Sequence, residues 1–504
     1  MRRAAAGFVL ATLLVSGCKL TPDYERPELD PPVEWMRTSD EGESIANLPW
    51  WEVYRDPTLS ALIELALERN RDLKIALARM QEFDYLITFT RADQFPFLDI
   101  FGSAGRGRQS REINPGASTD NNFSIGANLS FEIDLWRKYS RATEAARDDL
   151  LATEAAYRNV TIGLISDVAS GYLLLLDFDE RLAISERTAA GRRAQLDIIR
   201  ARFERGTVGQ LDVNQAEVQL AIAEAAIAQF RRLQAQTEHA LRVLLGQYPG
   251  PIPRGKPIGL GSWPIQIPAG LPSELLERRP DVVEAERRLA AETARIGVAQ
   301  AMRFPAISLT ANLSAVAEGL TDLNSTDAGE WNIMAGIFQP LFNSGQLKAQ
   351  MMAQRARTEQ ALHFYIGVLQ NAFREVEDSL VAIQYLREER EARRRQVVAA
   401  SNATRLSRAR YDGGVVDYLE VLDSERALFD AELEESIVRR TALTAYVTLY
   451  KALGGGWTTA EEAEAEVETT EAGGGGPAET EAPAEVEEPP DAEDPADVVR
   501  TTSR

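Results

Sequence analysis

The chain is poor in the residues that carry chemistry. Its 504 residues hold one cysteine, Cys18, and two histidines, His239 and His363. A single cysteine excludes any disulfide within the chain and makes a redox role unlooked for. Each histidine falls on a helical stretch without a second ligand at metal spacing. No nucleophile motif is present. Gly250-Pro251-Ile252-Pro253-Arg254-Gly255-Lys256-Pro257 comes near a phosphate-binding loop, but Pro257 stands where Ser or Thr is needed, and no helix is expected after it. Carboxylates are plentiful, yet nothing singles out a pair for acid–base work, so the chain is not expected to be an enzyme. Long apolar runs are also missing. Past residue 17 no stretch of 18 or more apolar residues occurs, so a mature chain that crosses a membrane must do so as a β-barrel. Proline is absent between Pro115 and Pro249 and between Pro340 and Pro477, which leaves two long intervals open to unbroken helix. Positive charge is short: 55 Lys and Arg stand against 77 Asp and Glu, a net charge of −22, and nucleic acid is excluded as an expected partner.

What is present begins at the N-terminus. Arg2 and Arg3 precede a short apolar segment, Ala4 to Val15, which has the form of a secretory signal. It ends Val15-Ser16-Gly17-Cys18, a bacterial lipobox of one aliphatic residue, two small residues and the cysteine. Residues 1–17 are therefore expected to be removed. Cys18 is expected to carry diacylglycerol and an N-acyl chain, with no other cofactor. One acyl chain anchors only marginally, so firm attachment needs several chains or further membrane contacts. Lys19 follows the cysteine where Asp would retain a lipoprotein in the inner membrane; by similarity to sorted bacterial lipoproteins, this favours the outer membrane. At the other end, Thr458 to Arg504 holds 15 acidic residues against two arginines and is rich in Glu, Ala, Pro and Gly. Such a segment (458–504) is expected to be a disordered acidic tail.

The body contains an internal repeat. Arg202-Phe203-Glu204-Arg205-Gly206-Thr207-Val208-Gly209-Gln210-Leu211-Asp212-Val213 matches Arg410-Tyr411-Asp412-Gly413-Gly414-Val415-Val416-Asp417-Tyr418-Leu419-Glu420-Val421 at an offset of 208. Leu245-Gly246 recurs as Leu453-Gly454 at 208, and Phe95-Pro96 as Phe304-Pro305 at 209. The chain therefore divides into a first repeat (18–248), a Pro/Gly-rich connector (249–280) and a second repeat (281–457).

Each repeat has two strand-like segments, about 98–107 and 123–136, then about 307–317 and 331–341. Phe123, Ile125, Ala127, Leu129, Phe131, Ile133 and Leu135 alternate with polar or small residues. Ile307, Leu309, Ala311, Leu313 and Ala315 do the same. The other two segments fit more loosely. Period 2 fits two soluble hairpins packed on a core, and it fits transmembrane strands of ~9–11 residues. Four strands are too few to close a barrel, and lipid tolerates no open edge. If these strands span a membrane, several identical chains must complete the cylinder.

The rest reads as helix, at about 139–205, 210–246, 346–411 and 418–453. Val168, Leu175, Leu182, Ala189, Leu196 and Phe203 fall every seven residues, a coiled-coil seam. A helix of ~60 residues spans roughly 90 Å. Such lengths suit a tube or stalk better than a soluble bundle. After the repeated glycine motif each long helix turns back.

Two further stretches resemble a known family. Trp50-Trp51-Glu52-Val53-Tyr54-Arg55-Asp56-Pro57-Thr58-Leu59-Ser60-Ala61-Leu62-Ile63 is similar to the opening motif of the TolC-like outer-membrane efflux proteins, in their OprM/NodT-type lipoprotein branch. Glu277-Arg278-Arg279-Pro280-Asp281-Val282-Val283-Glu284-Ala285-Glu286-Arg287-Arg288-Leu289-Ala290 resembles that branch's mid-chain signature. The resemblance spans roughly Cys18 to Gly456. It implies a mainly α fold with a small transmembrane β part, in which long coiled-coil helices form a periplasmic α-barrel. Four strands per chain then contribute to a twelve-stranded β-barrel in a homotrimer, with the connector in an equatorial belt. It implies the exit duct of a tripartite efflux pump for drugs or small molecules. The partners would be a periplasmic adaptor and a resistance–nodulation–division transporter of the inner membrane. A type I protein-export duct is the alternative.

The resemblance also implies a periplasmic gate. Leu419 would be its apolar constriction, and Asp423 with Glu420 would form carboxylate rings beside Arg426. Tyr411 and Asp212 would help latch neighbouring helices. Like charges held close in a narrow pore favour hydrated cations; a solvated acidic helix face accounts for the same residues. Val416 stands where one family member has a latch arginine. The tips Gly206, Thr207, Val208, Gly209, Gly414, Val415 and Val416 would meet the adaptor, and their glycines also permit the tight turn.

Overall fold

The computed structural model describes residues 22–29, 32, 35–36, 53–54, 56–110, 112–258 and 278–456. Cys18, most of the connector and the acidic tail lie outside them. In chain order the elements are α1 (Pro57–Arg69), α2 (Arg71–Ala92), β1 (Phe97–Gly107), β2 (Asp120–Glu132), α3 (Lys138–Glu204), α4 (Gln210–Leu244), α5 (Pro280–Ala301), β3 (Ala306–Ala317), β4 (Gly329–Phe338), α6 (Gln346–Asp412) and α7 (Tyr418–Ala452). Both α3 and α6 have 67 residues, hence a length of about 100 Å each.

Local chemistry sets where these elements start and stop. Asp56 caps α1, accepting from the Thr58 and Leu59 N–H groups at 2.9 and 3.3 Å, with Pro57 in the first turn. The expected strand to residue 136 ends at Glu132 instead. Asp134 has left the ladder to accept from the Tyr139 and Ser140 N–H groups at 3.1 and 2.8 Å, and Arg137 turns at φ 61°. The strand β4 ends at Phe338, short of the expected 341, just ahead of Pro340, which has no N–H to donate.

The duplication is visible in the backbone. The pairs α3/α6 and α4/α7 begin and end at positions 208 apart. Their C-terminal glycines repeat too: Gly206 and Gly414 (φ 74° and 68°), then Gly246 and Gly454 (φ 65° and 75°). Each closes a helix with paired bonds. Gly206 N–H donates to Phe203 O at 2.8 Å and Thr207 N–H to Arg202 O at 3.0 Å; Gly414 and Val415 repeat this on Tyr411 and Arg410.

In each repeat two shorter helices together run beside the long one. The end of α4 abuts the start of α2, where Asn70 donates to Leu244 O at 2.9 Å and accepts from Leu73 N–H at 3.0 Å. A Cβ on Gly246 would lie 2.3 Å from Arg69 O, so only glycine fits this joint. The end of α7 meets the start of α5 in the same way. There the buried Arg279 donates to Ala452 O at 3.0 Å and pairs with Asp281 and Glu375. The main core lies around these joints and includes Leu59, Ile63, Ile165, Val168, Tyr172, Leu175, Leu449 and Tyr450. Along the α3 seam Val168, Leu175, Ala189 and Leu196 are buried, Leu182 is half-buried and Phe203 at the far end is exposed. The most apolar stretch of α3 is thus mostly buried against other helices. The near phosphate-binding loop is packing: Ile252 and Ile258 enter the core, and Gly255 N–H donates to the Tyr172 hydroxyl at 2.8 Å.

The four strands form one antiparallel sheet in the order β1-β2-β3-β4, so β2–β3 pairing joins the two repeats. Register sorts the side chains into two faces. One carries Leu98 and Ile100, then Ile125, Ala127, Leu129 and Phe131, then Leu309, Ala311 and Leu313, then Trp331, Ile333, Ala335 and Ile337. The other carries Asp99, Ser103, Ser124, Asn128, Ser130, Ser308, Thr310, Asn312, Ser314, Glu330 and Asn332. On that polar face the Phe101 ring covers Gly126, whose Cβ would meet it at 2.9 Å. Among the described residues β1 and β4 each have one neighbour only.

The described residues ahead of α1 contact the helices at three places. Asp23 pairs with Arg141 in the first turn of α3. Arg26 pairs with both oxygens of Glu286 on α5 at 2.7 and 2.9 Å, joined by the Tyr24 hydroxyl at 3.1 Å. Trp35 packs on Phe373 of α6, with ring centres 5.9 Å apart. Burial, then the Glu286 charge, pushes the Tyr24 phenol well above its ordinary pKa.

Candidate functional site

The candidate site lies at the two hairpin tips, where α3 turns into α4 and α6 into α7. The tip core is small: Leu196, Ile199, Val213, Ala216, Tyr418, Val421 and Leu422, with Val208, Leu220 and Tyr411 against it. Helical period divides the start of α7 into two faces. Val421, Leu422, Glu425 and Phe429 are buried. Leu419, Glu420, Asp423, Arg426 and Asp430 are exposed. Four of the residues expected at the gate, Leu419, Glu420, Asp423 and Arg426, thus share one unburied face of α7, with an apolar side chain at its start and carboxylates after it.

Those carboxylates already have cationic neighbours. Glu420 accepts from Arg410 at 2.7 Å, across its own turn. Asp423 accepts from Arg426, one helical turn on, at 3.1 Å. Tyr411 packs against Tyr418 with ring centres 5.4 Å apart and planes tilted by 45°, and its hydroxyl is buried without a hydrogen-bond partner. Burial, followed by the charge of Glu425, pushes the Tyr418 phenol far above its usual value. Within one chain the Tyr411 hydroxyl does not bond Asp212. Asp212 accepts from Gly209 N–H at 3.0 Å and caps its own helix. Thr207 closes the first tip by donating to Arg202 O at 2.8 Å. Thr207, Gly209, Gly414 and Val415 face outward, while Val208 and Val416 are half-buried.

Several residues escaped notice in the sequence. Arg202 lies 3.6 Å from Asp412 and 5.0 Å from the Tyr411 ring centre, so it reaches from one hairpin to the other. Glu425 is buried and held by Arg408 at 2.7 Å. Arg192 is buried over the Phe429 ring at 5.1 Å and donates to Gln219 O at 2.7 Å; burial holds its pKa below the ordinary arginine value. The 208-residue offset would have exposed the first two, because Arg202 aligns with Arg410 and Glu425 with Glu217. Nothing in the local pattern marks Arg192.

The same offset reveals unequal seams. Leu196, Ile199 and Ala216 in the first hairpin correspond to Thr404, Ser407 and Ser424 in the second. The hydroxyls satisfy one another: Ser407 and Ser424 lie 2.6 Å apart, and Thr404 donates to Ser424 O at 2.9 Å. Among the described residues no cluster of metal-ligating side chains occurs.

Known proteins share this architecture. The family model described as outer membrane efflux protein matches residues 62–247 and 271–455, one match for each repeat. The cation efflux system protein CusC of Escherichia coli O157:H7 is 34% identical over 450 residues, covering 88% of this chain and 97% of its own length. The solvent efflux pump outer membrane protein SrpC of Pseudomonas putida is 35% identical over 463 residues, covering 90% and 98%. The open-state crystal structure of the Neisseria gonorrhoeae MtrE outer membrane channel superposes with a TM-score of 0.79 at 29% identity, covering 88% of this chain and 99% of that one.

Proposed function

The chain belongs to the outer membrane efflux protein family, and from that membership we propose a passive exit duct that is not an enzyme. Three copies form a homotrimer, complete a twelve-stranded barrel in outer-membrane lipid, and receive small molecules from a resistance–nodulation–division transporter through a periplasmic adaptor at the tips. The observation that carries this reading is the sheet. One of its faces is apolar across all four strands, neither edge has a neighbour among the described residues, and helices about 100 Å long hang from it. In lipid an open edge leaves a row of unpaired N–H and C=O groups, each a loss of several kcal/mol. Pairing β4 of one copy with β1 of the next removes both rows.

Cys18 carries the lipid in this reading. Asp23, tied to Arg141 just below the sheet, stands five residues away, and five extended residues span about 17 Å at most. An acyl chain on Cys18 therefore reaches the leaflet next to the barrel rim. At the opposite end Leu419 narrows the pore, and Glu420 and Asp423 with Arg426 surround the axis. Relatives named for cation efflux and for solvent efflux resemble the chain about equally. Drug or metabolite identity is accordingly set upstream, by the transporter.

Two measurements test the proposal. Cells lacking the chain should retain a fluorescent efflux substrate, and restoring the chain should reverse this. In planar bilayers, Glu420→Ala with Asp423→Ala should raise conductance or weaken block by divalent cations. Unchanged retention across several dyes would point to protein export. Unchanged conductance and block would remove the gate assignment.

A further inference from the structure

We infer that the duct wall carries a binding cavity, just below the sheet, for organic solutes that join an apolar body to one anionic group; the inference rests on reading the polar face of the sheet as the pore lining. Two cavities, of 560 and 260 Å³, meet at Met302. The larger lies among four helices. Its floor is α3 and α5, which approach closely because Ala145, Ala291 and Ala294 meet between them. Against α3 lies α2, which brings Phe83, Leu86 and Phe89; against α5 lies α6, which brings Gln350, Ala353 and Arg357. On each helix these residues recur at three or four positions, so each turns one face to the space. Alanines such as Ala146, Ala299 and Ala353 leave the volume open, and Phe89 remains 75% exposed. The smaller cavity continues toward the sheet, past Trp136 and Phe304, whose rings stack at 4.9 Å.

Two observations place this space on the inner side of the wall. Glu132 pairs with Ser308, and Phe338 with Ala306, so these cavity residues share the parity of the polar face. Arg295 follows Glu286 by nine residues, about two and a half helical turns, so the cavity lies on the side of α5 opposite the one that holds Tyr24 and Arg26. Charge within it is uneven. Arg295 is paired with Asp149, and with Glu292 at 2.6 Å. Burial holds the Asp149 carboxyl above its ordinary range even beside Arg295, which marks the floor as poorly hydrated. Arg357 has no carboxylate partner among the described residues and donates to Gln354 Oε1 at 3.4 Å. Ligand pockets for drug-sized molecules have about 300–1,000 Å³ and apolar walls with a few polar groups. One unbalanced guanidinium beside such a hollow favours an amphipathic anion over a cation or a small inorganic anion. The transporter still chooses the cargo; the cavity lengthens the stay of one class of it on the way out.

The test uses the full lipidated chain in its assembled form, with isotope-labelled methionine methyl groups, titrated with naphthalene-2-sulfonate. The Met302 resonance should move saturably, while that of Met36, next to Trp35 on the outer segment, should not. Methanesulfonate, which lacks the apolar body, and naphthylmethylammonium, which reverses the charge, should bind at least about tenfold more weakly. Arg357→Gln should weaken the sulfonate by about fivefold and Arg357→Lys far less, whereas Ala353→Phe should fill the hollow and abolish the response. In planar bilayers the same sulfonate should interrupt current through the chain carrying Glu420→Ala with Asp423→Ala, and adding Ala353→Phe should remove the interruptions. The inference is overturned if Met302 does not respond, if Arg357→Gln and Ala353→Phe both leave binding unchanged, or if the bound sulfonate leaves the current untouched. A conducting channel with a silent Met302 sinks the cavity alone. Binding at Met302 in a chain that conducts under no condition sinks the duct reading and the inference with it.

Discussion

Arginine placed at Ile333 and at Asn332 should separate a membrane-spanning sheet from a pair of soluble hairpins. The two positions are adjacent on β4, and the pleat sends them to opposite faces. Ile333 lies on the apolar face beside Ala311, with 69% of its surface exposed; Asn332 pairs with Asn312 on the polar face. The ten residues of β4 rise about 3.4 Å each, and a tilt of about 40° leaves roughly 26 Å of height, close to the apolar band of outer-membrane barrels. Ile333 is the fifth of the ten, so it falls near mid-bilayer. Arginine there should cost about 2–4 kcal/mol per chain, and at Asn332 far less, because that face meets water. In soluble hairpins an arginine on an exposed position would stay within about 0.5 kcal/mol on either face. The assay is reversible denaturation of the purified protein in lipid vesicles, with Ile333→Ala as a control for the lost side chain. Equal losses at 332 and 333, or a larger loss at 332, would refute the assignment of lipid to the apolar face.

Two further outcomes follow from the repeat. Gly246→Ala must place a Cβ 2.3 Å from Arg69 O at φ 65°, whereas Gly206→Ala at φ 74° meets nothing within 4 Å. Both carry about 1–2 kcal/mol of left-handed strain, but only Gly246→Ala should lose more, because it also forces the α4–α2 joint apart; chemical denaturation of the two variants compares them directly. Truncation of the equivalent seam residues should also differ. Ile199→Ala should lower tip stability by about 2–5 kcal/mol, against about 1 kcal/mol for Ser407→Ala, read by hydrogen exchange of the tip amides.

The helices were legible because they obey one period over great length. An uninterrupted stretch without proline and a heptad of apolar residues define α3 far beyond what a short helix offers, and the repeat transfers the same reading to α6. Strand faces were legible for β2 and β3, where alternation is strict. They were weaker in β1 and β4, whose polar face carries Phe101 and Met334. Only the register shows that Phe101 sits over Gly126 on a neighbouring strand, a cross-strand fit that no single strand reveals. Ends were misjudged where a side chain competes with the ladder: Ile133 and Leu135 continue the alternation of β2, but Asp134 between them caps a helix.

At the tips the sequence reveals the duplication more readily than its breaking. A motif match at 208 residues registers Asp212 and Glu420 as alike, since both are acids in the first turn of a helix. One methylene makes them physically different. The shorter carboxylate turns back to its own N-cap, and the longer one reaches the preceding helix. Seams differ in the same way: Ile199 and Ser407 occupy equivalent sites, one excluding water and the other binding a neighbouring hydroxyl. Apolar seams derive their strength from area removed from water, whereas a satisfied hydroxyl pair gains only the net value of its hydrogen bonds, about 1 kcal/mol each. Two copies of one hairpin therefore have unequal internal strength.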